Sequence, residues 1–244
     1  MKLPASIILI STLLFGCTDT KLPETDTIKW INTAHALLIK VNGGEYGLYS
    51  GFDNNIANEF KAKLSLKSSW GINDRYDADE MIKWLINSGH RQNFIDEMNA
   101  LKKANVLNIS RTQAINFLKL TKQDKASIYM SLVDVYKKHG EGAIDAWDYC
   151  RALNLLSTAY LAGYYTKEEA LDKSLPIAKI IQSRFNSWSE MSESYLLGYN
   201  YWSEENPADI NSSAYQRKMV YEEMLSSENN PYKIGWSTKL QKTW

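Results

Sequence analysis

The chain has 244 residues, 28 of them basic and 28 acidic, so its formal net charge is zero. Apolar residues make up 44% and aromatic residues 12%, enough to build a real core in one large domain or two small ones. Without a basic surplus there is no electrostatic footprint for nucleic acid, and that class of partner is excluded.

The first element in chain order is a leader. Met1-Lys2 is a short basic start, residues 7–15 form an apolar run, and Gly16 stands just before Cys17. Charge, apolar stretch, small residue and cleavage point, in that order, describe a secretory signal. The run is too short to span a bilayer, which takes about 20 apolar residues. A cysteine at the cut makes the segment resemble a bacterial lipoprotein signal. Residues 1–16 would then be removed, Cys17 diacylated, and residues 17–26 left as a tether, since two or three acyl chains anchor stably where one does not. Thr18 in place of Asp points to the outer membrane, by resemblance to sorting in Gram-negative envelopes. The expected location is the cell envelope, facing the periplasm. Loss of Lys2 with the leader leaves 27 basic and 28 acidic residues, a net charge of −1.

Residues 27–244 read as an all-α, single globular domain of nine or ten helices. Apolar spacing and end signals place them near 27–41, 54–68, 78–88, 91–104, 111–120, 122–138, 143–163, 167–185 and 188–203, with a tenth near 207–226. Capping boxes, which satisfy free N–H groups at a helix start, are expected at Ser110/Gln113, Thr166/Glu169, Ser187/Glu190 and, with Asp as the cap, Asp77/Glu80. Asn206-Pro207 reads as a further helix start. Pro176 predicts a kink or break inside the helix at 167–185. Residues 42–55, rich in Gly and Tyr, read as an exposed loop, and 227–244 as an irregular tail. No alternating strand pattern is present.

With Cys17 lipidated, Cys150 is the one free thiol and no intrachain disulfide can form. It sits among Ala146, Trp147 and Leu153 and reads as a small buried residue.

Three groups of residues could carry function. In the segment around Ala146-Trp147-Asp148, Asp148 and Arg151 are three apart and share a helix face. They read either as an ion pair tying helices together or as an acid/base carboxylate beside a ligand-gripping guanidinium. Gly89-His90-Arg91 reads as a helix end, with His90 either a C-terminal cap or an acid/base imidazole. His139 stands before Gly140 in the same manner, and His35 reads as core. The third group is Ser187, Trp188 and Glu190. Ser187 and Glu190 are explained by capping; Trp188, Tyr195, Tyr199 and Trp202 line one helix face, either as core or as a sugar-stacking platform. No nucleophile elbow, zinc helix, Walker loop or dinucleotide fingerprint is present. Three scattered histidines and one thiol hold no metal, and no cofactor is expected.

The ordered series Trp70-Gly71-Ile72, Gly89-His90-Arg91, Ala146-Trp147-Asp148 with Arg151, Gly163-Tyr164 with Glu169-Ala170, Phe185-Asn186-Ser187-Trp188 and Tyr195-Leu196-Leu197-Gly198 resembles the bacterial "domain of unknown function 1266" family. The match covers residues 70–202. The positions that fit the family pattern are Trp70, His90, Arg91, Trp147, Asp148, Arg151, Ser187 and Trp188. The resemblance implies a bacterial, mostly helical domain and supplies no mechanism.

Three functional expectations follow. The first is a non-enzymatic interaction module, accessory or immunity-type, that binds a protein partner in the envelope. The second is a hydrolase of cell-wall glycan or lipid, with Asp148 and Glu190 as acid/base groups, His90 as shuttle and Arg91 or Arg151 as anion clamp. The third is a small-ligand or glycan binder with an aromatic pocket around Trp188 and Trp202.

Overall fold

The computed structural model describes residues 24–244. The leader, Cys17 and most of the tether lie outside the described residues. Among those described, the chain is all-helical, with no strand. It runs α1 (Asp26–Ala34), α2 (Ala36–Val41), α3 (Ile56–Trp70), α4 (Arg75–Asn87), α5 (Gly89–Lys103), α6 (Arg111–Lys122), α7 (Ala126–His139), α8 (Asp145–Leu161), α9 (Lys167–Arg184), α10 (Trp188–Ser203) and α11 (Ser213–Ser226). No helix among the described residues is long and apolar enough to cross a membrane.

The fold is built around α8. Fourteen of its 17 residues are buried, so it needs neighbours on every side. It packs against α10, α9, α4 and α3, with α5, α2 and α1 completing the sheath. A second, smaller core joins α5, α6 and α7 through Phe94, Met98, Leu118, Met130 and Val133. Cys150 is buried, its thiol reaches the Ala34 carbonyl at 3.0 Å, and burial pushes its pKa up.

The capping boxes at Ser110/Gln113 and Thr166/Glu169 are formed. Ser187 also caps its helix, but Glu190 reaches one residue further back, to the Asn186 N–H. Three boundaries differ from expectation for a local reason. The helix expected at 27–41 is interrupted at His35, whose buried ring bonds the Ile31 carbonyl at 2.9 Å. The helix expected from Asp77 starts one turn earlier, because Asp74 is the cap and Asp77 reaches back to the Asn73 N–H. The last helix begins at Ser213, since Asn206 closes a tight turn onto Ala208 and Ser212 caps instead. Helix α9 runs unbroken through Pro176.

The 42–55 segment is less exposed than its composition implies. Tyr49 is buried and bonded to Ser174, and Gly44 and Gly51 approach each other so closely that a side chain on either would strike Ile39. The tail is irregular but tied down. Gln182 bonds the carbonyls of Trp236 and Thr238, and Trp236 packs between Trp30 and Trp188.

Candidate functional site

Helices α4 and α5 meet head to tail at Ser88-Gly89, and neither has a local cap. Ser88 makes no side-chain cap bond. The free N–H groups of His90 and Arg91 point instead at Asp148 of α8, which accepts both, at 3.1 and 2.9 Å. A carboxylate there meets the positive end of the α5 dipole and satisfies orphan donors. Gly89 makes room for it: its φ is +58°, and a Cβ would lie 2.1 Å from the carboxylate. Arg91 finishes the other end of the junction. It donates to the Leu85 and Ile86 carbonyls at the C-terminus of α4 and lies over the Tyr149 ring. Gly89-His90-Arg91 therefore opens α5 rather than closing α4, and Arg91, not His90, takes the free carbonyls.

Asp148 is fully buried, with two guanidinium groups and the His90 ring around it. Arg91 Nη1 lies at 3.4 Å, His90 Nδ1 at 3.5 Å and Arg151 Nη1 at 3.7 Å. Asp145, also buried, faces Arg91 and, at 3.2 Å, Arg184. Burial raises the Asp145 pKa, offset in part by those two arginines. Three guanidinium groups thus share two carboxylates.

Arg151 is where this network reaches a groove. Its guanidinium is clamped between the rings of Trp70 and Trp147, 4.4 and 4.5 Å from their centres. Nη1 bonds His90 Nδ1 at 2.9 Å, while Nε and Nη2 have no hydrogen-bond partner among the described residues. Only 8% of Arg151 is exposed, and burial lowers its pKa to about 10 despite the pull of Asp148. Trp147 is seated against Gly198 of α10, where a Cβ would fall 2.2 Å from the Trp147 Cβ. Its ring neighbours are Tyr195, Tyr199 and Trp202, and its buried indole N–H has no partner.

The groove has a volume of about 610 Å³, within the range of ordinary ligand sites. Its floor is one face of α8, from Trp147 through Arg151, Leu155 and Thr158 to Leu161. The fourteen rises of about 1.5 Å from Trp147 to Leu161 make it roughly 21 Å long. Helix α3 forms one wall and runs antiparallel to α8: Trp70 lies over Arg151, and Glu59 reaches the turn at Gly163. The opposite wall comes from α2, α10 and α11, and includes Arg217. Arg217 lies 4.0 Å over Tyr199 and donates to the Tyr195 hydroxyl, and its Nε is unpartnered. Lys61, Arg151 and Arg217 line the groove, and no Asp, Glu or His among the described residues does.

The structure brings Asp148, His90, Arg91, Arg151 and Trp147 together. It leaves Glu190 and Trp188 elsewhere. Glu190 is held by Asn186 and lines a separate small cleft with His139 and Arg184. Trp188 is buried against Trp30 and Trp236, its indole donating to the Ile234 carbonyl at 2.8 Å. Trp202, half exposed, lines the groove; Trp188 does not. Sequence reasoning missed Arg217 and Lys61. Neither stands in a motif, and only the packing of α3 and α11 brings them to the groove. Among the described residues, no group of His, Cys, Asp and Glu is arranged to hold a metal.

The fold and site define an all-α domain in which a buried ion cluster braces a basic, aromatic groove. A family model described as "Protein of unknown function (DUF1266)" matches residues 65–236, and the chain belongs to that family. The matched stretch takes in Trp70, Trp147, Arg151, Tyr199, Trp202 and Arg217. Two proteins of Escherichia coli (strain K12) are similar. "Uncharacterized protein YbeU" is 27% identical over 160 residues, which is 65% of each chain. "Uncharacterized protein YbeR" is 24% identical over 169 residues, 69% of each. The chain therefore covers just under two thirds of YbeU. No solved structure matches.

Proposed function

We propose that this chain is a non-enzymatic binding module whose groove along α8 receives part of a partner. The observation that carries the reading is the orientation of Asp148. A general acid or base must lie within hydrogen-bond reach of substrate, directly or through one water. Asp148 is fully buried and spends its oxygens on the His90 and Arg91 N–H groups. What the groove offers instead is guanidinium donors, aromatic faces and hydroxyls, the equipment of recognition. In this reading the Asp148 cluster is a brace that holds Arg151 in place.

Affinity capture from envelope extracts tests it, using the full chain beside the Arg217→Gln and Trp202→Ala variants. A retained species that both variants lose supports binding at the groove. Equal retention by all three removes the groove from the account. The hydrolase reading takes over if the chain releases soluble fragments from labelled cell-wall glycan or lipid and Asp148→Asn stops the release.

Envelope tethering through Cys17 belongs to the same proposal. Its support is the order of residues 1–17. Metabolic labelling with an alkynyl palmitate should mark the chain and fail to mark Cys17→Ala; equal labelling of both would refute it.

A further inference from the structure

We propose that the occupant of the groove is an extended, acidic peptide segment of a protein partner, with a carboxylate seated on Arg151 and Arg217. This rests on the reading of the chain as a binding module.

Charge is the first argument. The groove carries Lys61, Arg151 and Arg217 with no carboxylate among its described lining residues, so it is a cationic trough in a chain of zero net charge. The donors are the second. Arg151 keeps Nε and Nη2 free, and Arg217 keeps Nε free. A guanidinium held between two indoles has already lost much of its freedom, so little more is lost when it forks onto a carboxylate. Arg151 is also more than nine-tenths buried, which strengthens each such bond.

Length and lining select a peptide over an acyl chain. An extended chain rises about 3.3 Å per residue, so roughly six residues fill the roughly 21 Å groove. Such a chain brings N–H and C=O groups that need partners. Ser65 and Ser69 on α3 and Asn154 on α8 line the walls, and their side chains have no hydrogen-bond partner among the described residues. An acyl chain would leave them unmatched. Between them, Ala62, Leu66 and Leu155 give an apolar floor for the side chains that alternate inward. Tyr199 and Trp202 frame the basic end for an apolar or aromatic residue beside the carboxylate.

The test is selection of a displayed random heptapeptide library on the full chain. Enriched sequences are then synthesised with fluorescein and titrated by fluorescence polarisation. The expected result is enrichment of Asp or Glu next to an apolar residue. Affinity should fall at least tenfold in Arg217→Gln, severalfold in Lys61→Glu, and as salt rises. Circular dichroism and melting temperature confirm that both variants stay folded. Dodecanoate and a phosphate-bearing detergent are run as competitors. Neutral or basic consensus peptides would overturn the acidic class, and an acidic peptide indifferent to Arg217→Gln would overturn the site. Dodecanoate binding that depends on Arg217, with no peptide enriched, would show an amphiphile in the groove and overturn the peptide. The groove-dependent failures leave the binding-module reading standing; that reading falls only to the capture and turnover results above.

Discussion

The molecule holds two clusters of tryptophan, and they differ in how their polar atoms are spent. In the cluster of Trp30, Trp188 and Trp236, the first two indoles donate to backbone carbonyls, those of Trp236 and Ile234. The three rings pack on one another in tilted and edge-to-face pairs, and Trp188 also meets Tyr232. No buried indole N–H in this cluster is left without a partner, and the cluster serves to pin the C-terminal tail to α1 and α10. In the cluster of Trp70, Trp147 and Trp202, the rings enclose arginine, the Trp147 N–H is orphaned, and Trp202 stands half in solvent. Aromatic content alone would rank the two equally. Unspent hydrogen bonds separate an architectural cluster from one arranged for a ligand.

The sharpest way to break this contrast is to remove the brace beneath the second cluster. Asp148→Ala leaves Arg91 and Arg151 buried without their carboxylate and uncaps α5, at an expected cost of about 3–5 kcal/mol by urea denaturation. Gly89→Ala sets a methyl against the same carboxylate at positive φ and should cost roughly 1–3 kcal/mol, with Gly198→Ala, which drives α10 off Trp147, in the same range. A loss under 0.5 kcal/mol in all three would mean that the junction is not a brace.

Acid should act on the sealed side. His35 is buried at 1% exposure, and desolvation lowers its pKa from 6.5 to about 4, against the backbone bonds to Ile31 and Tyr49. The unfolded chain therefore takes up the proton first as pH falls. Stability from this group is complete above about pH 6.5 and is lost progressively down to about pH 4, approaching about 3 kcal/mol. Denaturation midpoints measured from pH 7.5 to 4 should fall less steeply in His35→Leu than in the native chain. Equal slopes would contradict the assignment.

The smallest effects compare the clusters directly. Trp188→Phe strands the Ile234 carbonyl and should cost about 1–3 kcal/mol more than Trp147→Phe, where no hydrogen bond is lost. Trp202→Ala should change stability by no more than about 0.5 kcal/mol while weakening capture of any groove ligand.

Much of the fold was legible because its helices announce themselves locally. Ser110, Thr166 and Ser187 cap the helices that follow them, as their spacing implies. The α4–α5 junction was not legible, because the cap for His90 and Arg91 comes from Asp148, 58 and 57 residues away. The link between Asp148 and Arg151 was readable at three-residue spacing; its coupling to His90 and Arg91 needed the fold. The aromatic stripe on α10 read as one surface, yet Trp188 at its start is sealed by the tail while Trp202 at its end opens to the groove. Arg217 sits in a helix with no apolar periodicity to orient it, so only tertiary packing reveals that it faces Tyr199.

The most direct test is an indole ¹⁵N–¹H spectrum of the full chain, assigned by single Trp→Phe variants and recorded while a selected acidic peptide is added. The account predicts that the resonances of Trp70, Trp147 and Trp202 move, that Trp147 shifts furthest as its free N–H gains a partner, and that Trp30, Trp188 and Trp236 stay in place. Movement confined to the Trp188 set, or binding that leaves all six unmoved, would contradict it.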